Sequence, residues 1–108
     1  MDQDRERRLA LNEAVARDVN ERVESVASGW HDPEEQIQLI CECSNESCSE
    51  RIHVTSVEYH EVREHEDRFM VIGAHVNEEI ERRVGTVGDA TVVEKIGEGR
   101  DVARSTAE

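Results

Sequence analysis

The chain has 108 residues, 36% of them apolar and 36% charged, with a net charge of −13. That length holds one small domain, and with one Phe, one Tyr and one Trp the core must be built from Val and Ile. The acidity repels nucleic-acid phosphates and anionic lipid and favours cationic partners or simple solubility, and the longest apolar run, Phe69 to Ile72, is too short to span a membrane. The start, Met1-Asp2-Gln3-Asp4, lacks the basic and apolar regions of a secretory signal, so a cytoplasmic protein that binds neither nucleic acid nor membrane is expected.

Charge and apolar residues are unevenly spread. Residues 1–28 carry seven acids and five arginines, whereas the rest carry 19 acids against eight bases. Most Val, Ile, Phe and Met fall within residues 36–96. This predicts a helical arm and linker over residues 1–35, an α+β core over 36–96, and a loose, flexible tail over 97–108.

Residues 8–27 read as an amphipathic helix, with Leu11, Val15, Val19, Val23 and Val26 at spacings of four and three on one face. Gly29 and Asp32-Pro33 end it. A heptad seam fails, because pairing Val19 with Val26 puts Asn12 one heptad earlier and Arg22 between them, so a long coiled coil is not expected. The stripe is expected to pack on the protein's own sheet, with a partner or a second copy as the other occupant, giving a monomer or a weak dimer through this helix.

Gln36 to Glu42 alternates Ile37, Leu39 and Cys41 onto one face, and Arg51 to Thr55 alternates likewise, so the two are expected to form a hairpin. Thr55 with Glu58 three residues on has the form of a capping box opening a helix over 56–65, with Tyr59 and Val62 inward. Arg68 to Ile72 reads as a central strand. Asn77 is expected to cap a brief helix containing Ile80 and Val84. Gly85 and Gly88-Asp89 then turn the chain into a last strand, Thr91 to Ile96. The fold class is α+β, with a small, mainly antiparallel sheet.

Chemistry concentrates in Cys41-Glu42-Cys43-Ser44-Asn45-Glu46-Ser47-Cys48, a C-x-C-x4-C cluster at the hairpin tip. Closely spaced cysteines in a reducing compartment point to metal, and an odd count leaves one thiol over from any disulfide. Two residues apart on a strand, Cys41 and Cys43 project to the same side with Cα atoms about 6.6 Å apart, a gap that leaning side chains close to the roughly 3.8 Å between two thiolates on one zinc. The polar loop folds Cys48 back and offers amides to the thiolates.

A closed site needs a fourth ligand, and five histidines compete. His31 lies before the strands beside Pro33. His53 alternates against Ile52 and Val54 and should face away from the core. His60 falls on the polar side of the short helix, and Glu42, Glu46 and Glu50 surround the thiols. His65 continues the apolar stripe from Val62. His75 is best placed, because it follows the strand and the flexible Gly73-Ala74 pair, where a loop presents an imidazole to the knuckle. Cys41, Cys43, Cys48 and His75 are thus the expected zinc ligands, with His65 the alternative to His75.

Cys41-Glu42-Cys43, Cys48, Glu50-Arg51-Ile52, Thr55, Glu58-Tyr59, Val62-Arg63, Arg68-Phe69, Val71, Gly73, His75 and Val92-Val93-Glu94-Lys95 together resemble a family of small uncharacterised bacterial proteins. Its pattern runs C-x-C-x4-C, T-x-x-E-Y, R-F-x-V, G-H and V-V-E-K after a helical N-terminus like Asn12 to Val23. The resemblance covers roughly residues 12–96, and here Ala74 stands between Gly73 and His75. It implies a small metal-binding domain, favours His75 over His65, and implies no activity.

Catalytic motifs are missing. There is no H-x-E with P-C-x-x-C of a zinc deaminase, no P-loop, and no G-x-G-x-x-G after a strand. Three thiolates and a histidine fill a zinc coordination sphere and leave no position for water. The expected function is a non-catalytic, zinc-stabilised protein-interaction module, for instance a regulator docking on a basic protein surface. The alternative is a small metalloenzyme or thiol redox sensor using Cys41, Cys43 and Cys48; an acidic nucleic-acid mimic is a third reading.

Overall fold

The structure is a computed structural model and describes residues 3–30, 32–45 and 47–106. A long helix α1 (Gln3–Ala27) is followed by the hairpin β1 (Gln36–Ile40) and β2 (Arg51–Thr55), then α2 (Ser56–Arg63) and β3 (Arg68–Val71). A single 3-10 turn (Gly73–His75) leads to β4 (Glu81–Val87), β5 (Ala90–Lys95) and α3 (Glu98–Thr106). The architecture is α+β, with an N-terminal helix on two small antiparallel sheets. No helix among the described residues is long and apolar enough to cross a membrane.

The β1–β2 hairpin forms as its alternation predicts, with Ile37 opposite Val54 and Leu39 opposite Ile52, all four buried. The capping box at α2 also forms: Glu58 N donates to Thr55 Oγ1 at 3.1 Å and Thr55 N donates to Glu58 Oε1 at 2.9 Å. Two reciprocal bonds satisfy amides that the first helical turn leaves without partners. Tyr59 and Val62 then face inward onto Ile37, Leu39, Met70 and Val92.

The second sheet has the order β3-β5-β4, so β5 and not β3 is its middle strand. The free edge of β3 is closed by the strand leaving β1, where Glu42 N donates to Met70 O at 2.9 Å and Met70 N donates to Glu42 Oε1 at 2.9 Å. A second join lies at the β4–β5 turn, where His53 N donates to Asp89 Oδ1 at 2.6 Å. Gly88 makes this approach possible: its φ is +52°, and a Cβ there would stand 2.1 Å from His53 O.

Residues 81–87 are a strand and not the brief helix that Asn77, Ile80 and Val84 suggest. The spacing of Ile80 and Val84 fits one helical turn, but the segment instead pairs with β5 from Glu81↔Lys95 to Val87↔Ala90, and a bulge between Arg83 and Gly85 absorbs the irregular spacing. Asn77 caps only a turn, its Oδ1 accepting from Glu79 N at 3.1 Å. The tail also differs from expectation. Glu98–Thr106 is helical and packs on α1, with Val102 and Ala103 buried. Arg17 fixes it by donating to Ala103 O and Thr106 Oγ1, each at 3.0 Å.

The orientation of α1 reverses the expected one. Its inward face is Ala10, Glu13, Arg17, Asn20 and Glu24, and the apolar stripe from Leu11 to Val26 points to solvent. The helix docks through polar side chains that complete distant partners: Asn20 with Ile40 N, Ile40 O and Glu42, Arg17 with Glu66 O, and Glu24 with His60. Arg17 also lies 4.5 Å above the centre of the Phe69 ring.

Glu13, Glu81 and Lys95 form a fully buried cluster, the ammonium contacting both carboxyl groups. Burial pushes the Glu13 carboxyl well above the ordinary carboxylate range, and the attraction of Lys95 offsets only part of this. Folded protein therefore holds a proton that the unfolded chain releases above about pH 4.5. The stability it contributes is full below that value and is lost as pH rises through the raised folded value. Glu13→Gln, which keeps the uncharged shape, is expected to flatten the fall of melting temperature with rising pH. A variant that declines as steeply as the parent in thermal melts taken upward from about pH 4.5 would refute this assignment.

Candidate metal centre

Cys41, Cys43, Cys48 and His75 converge at the tip of the β1–β2 hairpin, their donor atoms all within 4.8 Å of one another. Strand alternation sets the first two. Cys41 N donates to Glu50 O at 3.1 Å, extending the hairpin by one bond, so Cys41 and Cys43 project to one side and Glu42 to the other. An Asx turn then brings Cys48 back: Ser47 N donates to Asn45 Oδ1 and Cys48 N to Asn45 O, both at 3.0 Å. Helix α1 steadies this loop from behind, Asn12 Nδ2 donating to Ser44 O at 3.1 Å.

His75 arrives from the other sheet on the 3-10 turn, closed by His75 N donating to Ile72 O at 2.8 Å. Arg83 pins the turn through Gly73 O at 3.1 Å. The imidazole Nδ1 stands 3.4 Å from Cys41 Sγ and 3.6 Å from Cys48 Sγ. A tetrahedral ion with bonds near 2.3 Å to sulfur and near 2.0 Å to nitrogen spaces its S and N ligands by roughly 3.5 Å, so these separations suit a common ion. Cys41 and Cys43 are buried, while Cys48 and His75 are partly exposed, which leaves a path for entry.

The three thiols differ in how readily they ionise. A hydrogen bond from Cys41 brings the Cys43 thiol down to about 5, against its burial. That same bond, followed by burial, pushes Cys41 up, and burial pushes Cys48 up. Ile72 N donates to Cys41 Sγ at 3.2 Å, the kind of amide that stabilises a coordinated thiolate. The four residues form a Cys3His donor set capable of coordinating a metal ion.

The other histidines lie elsewhere. His53 faces outward and bonds Asp89 Oδ2 at 2.9 Å, and His60 Nε2 stands 2.8 Å from Glu24 Oε1. His65 sits exposed beyond the end of α2, outside the cluster. His31 and Glu46 fall outside the described residues. His75→Ala is accordingly expected to lower metal retention more than His53→Ala, His60→Ala or His65→Ala, and a larger loss from His65→Ala in elemental analysis would make His65 the fourth ligand.

Glu42 does not join an acidic ring around the sulfurs. It is fully buried on the opposite side of the strand, accepting from Asn20 Nδ2 at 2.8 Å, Arg63 at 2.8 Å and Met70 N at 2.9 Å. It thereby ties the C-x-C strand to α1, α2 and β3 at once. The signal for this was present in the alternation, since the residue between two inward-leaning cysteines must point away from them. No family model, curated protein or solved structure matches the chain.

Proposed function

We propose that this protein is a non-catalytic interaction module whose sheet region is held by one structural zinc on Cys41, Cys43, Cys48 and His75. The observation that carries the reading is the closed donor set: three thiols and an imidazole within 4.8 Å of one another, drawn from both sheets. Zinc suits it because thiolate and imidazole donors in tetrahedral array are the pattern of structural zinc sites, and four protein ligands leave no open position for water or substrate. The acidic exterior, net −13 over the chain, favours a basic protein surface over nucleic acid as partner. The resemblance to small bacterial proteins with the same cysteine spacing supports a metal knuckle as their shared feature, and a cytoplasmic setting fits three unbridged thiols.

Protein purified without chelators is expected to retain one zinc per chain, and Cys41→Ser, Cys43→Ser and Cys48→Ser each to lower that content. Metal-free protein with unchanged folding would refute the reading. The alternative, a thiol redox sensor, rests on Cys48, the one half-exposed thiol of the three. Rapid alkylation of the zinc-loaded protein at Cys48 would favour it, since a coordinated thiolate in a closed site reacts slowly.

A further inference from the structure

The helix α1 is a surface element with its apolar face outward. Val15 and Val26 are 65% and 66% exposed, Leu11, Val19 and Val23 are each about 40% exposed, and Trp30 just beyond the helix is 83% exposed. Scattered exposed apolar residues need no explanation, but five in a stripe along one helix with a tryptophan just past its end do. The stripe borders a groove of about 180 Å³ against the cysteine loop at one end and a hollow of about 520 Å³ beside Trp30 at the other.

We propose that this stripe is the dimer interface of the protein, two copies of α1 packing antiparallel across a two-fold axis beside Val19. Three observations select a second copy as the occupant. The first is charge pattern. Asp18 and Arg22, paired at 3.1 Å, lie along one flank of the stripe with side chains 57% and 80% exposed. A two-fold axis across antiparallel helices sets each flank against the same flank of the other copy in reverse order. Asp18 of each copy then comes opposite Arg22 of the other, a reciprocal match that a parallel pairing does not give.

The second is net charge. Residues 3–30 carry six acids and five arginines, so α1 is the nearly neutral part of a molecule at −13, and contact through any other face sets acidic surfaces together. The third is area. The six side chains leave on the order of 600 Å² open per copy, close to the roughly 800 Å² each partner contributes to a standard interface once flanking polar groups are added. In this arrangement Val19 of one copy inserts between Val19 and Val23 of the other, and Leu11 reaches toward Val26 and Trp30. Spacings of four along Leu11, Val15, Val19 and Val23 form the ridge used when two helices cross at about −50°, which fits a pair that is not a long coiled coil.

The proposal does not rest on the metal reading. Sedimentation equilibrium of the full chain, as purified, from about 1 µM to about 500 µM spans the affinities that interfaces of this size reach. A concentration-dependent dimer is expected. Val19→Asp and Val15→Asp, both at solvent-facing positions, are each expected to weaken it by about 100-fold, since each change enters the interface twice. Metal content and circular dichroism should stay those of the parent. Asp18→Arg alone and Arg22→Asp alone should weaken the dimer, and the two together should restore it. A monomer across the whole range overturns the proposal, and so does a dimer indifferent to Val19→Asp. A monomer whose photocrosslinker at Val15 captures a different polypeptide assigns the face to a foreign partner and overturns it as well.

Discussion

Stripping zinc from the loaded protein is expected to abolish tertiary structure across residues 36–96. A domain of this size has a stability of about 5–15 kcal/mol, and a structural zinc site supplies binding free energy of about 10–16 kcal/mol at neutral pH, so the metal is large enough to decide whether the sheets form. The connection is also topological. Cys41, Cys43 and Cys48 sit on the β1–β2 hairpin and His75 on the turn after β3, so one ion there would add a direct tie between two sheets that also share an apolar core and hydrogen bonds at Glu42 and the Asp89 turn. Helix α1 is expected to keep much of its own helicity over 25 residues while losing its dock, because Asn12 and Asn20 hold on to the same knuckle strand. Chelator should therefore remove near-ultraviolet dichroism and amide protection in the sheets while far-ultraviolet helix signal falls less. Acid should act as a chelator does, because coordinated thiols must be deprotonated and protons compete with the ion. Identical melting temperatures with and without metal would show that the cluster is not structural and would favour the reactive-thiol alternative.

The parts of the fold legible in the sequence are those whose cause is local. Ile37, Leu39, Ile52 and Val54 alternate over short runs, Thr55 and Glu58 meet within one helical turn, and Cys41 and Cys43 share a face because strands alternate. The place of His75 beside the thiols was legible because it follows a strand and the flexible Gly73-Ala74 pair, where a loop can turn an imidazole toward the hairpin tip. The position of α1 was not, because the residues that dock it are polar and their partners lie far along the chain: Arg17 reaches Ala103 O, Asn20 reaches Ile40, and Glu13 reaches Lys95. An apolar stripe ordinarily marks the buried face, and here the backbone groups of Ile40, Glu66 and Ala103 and the buried side chains of Glu42 and Lys95 take up the polar face. Helix α3 was missed for the same reason, since only Val102 and Ala103 signal burial and the contact that holds its end comes from Arg17. In β4 the spacing of Ile80 and Val84 pointed to a helix, and pairing with β5 made the segment a strand instead.

Glu42→Ala is expected to be the most damaging single change outside the metal ligands, costing about 3–5 kcal/mol of stability, the range for removing one partner of a buried ion pair. The side chain is fully buried and accepts three hydrogen bonds, one from the largely buried Arg63, one from Asn20 and one from the Met70 amide. Its loss leaves an uncompensated guanidinium beneath Phe69, whose ring lies 5.7 Å away, and an unpaired amide on the free edge of β3. Each broken bond also frees a different element from the strand that carries Cys41 and Cys43, so metal affinity should fall together with stability. Glu42→Gln keeps the shape and an acceptor oxygen but places an NH2 against a donor, and it should fall between the parent and Glu42→Ala. Denaturant titration of the zinc-loaded variants checks the order, and competition with a chromogenic chelator checks the affinity. If Glu42→Ala unfolds at the parent's midpoint, the carboxylate is a passenger in the core. If stability falls while zinc affinity does not, the strand is held for folding alone and the knuckle is organised by its own loop.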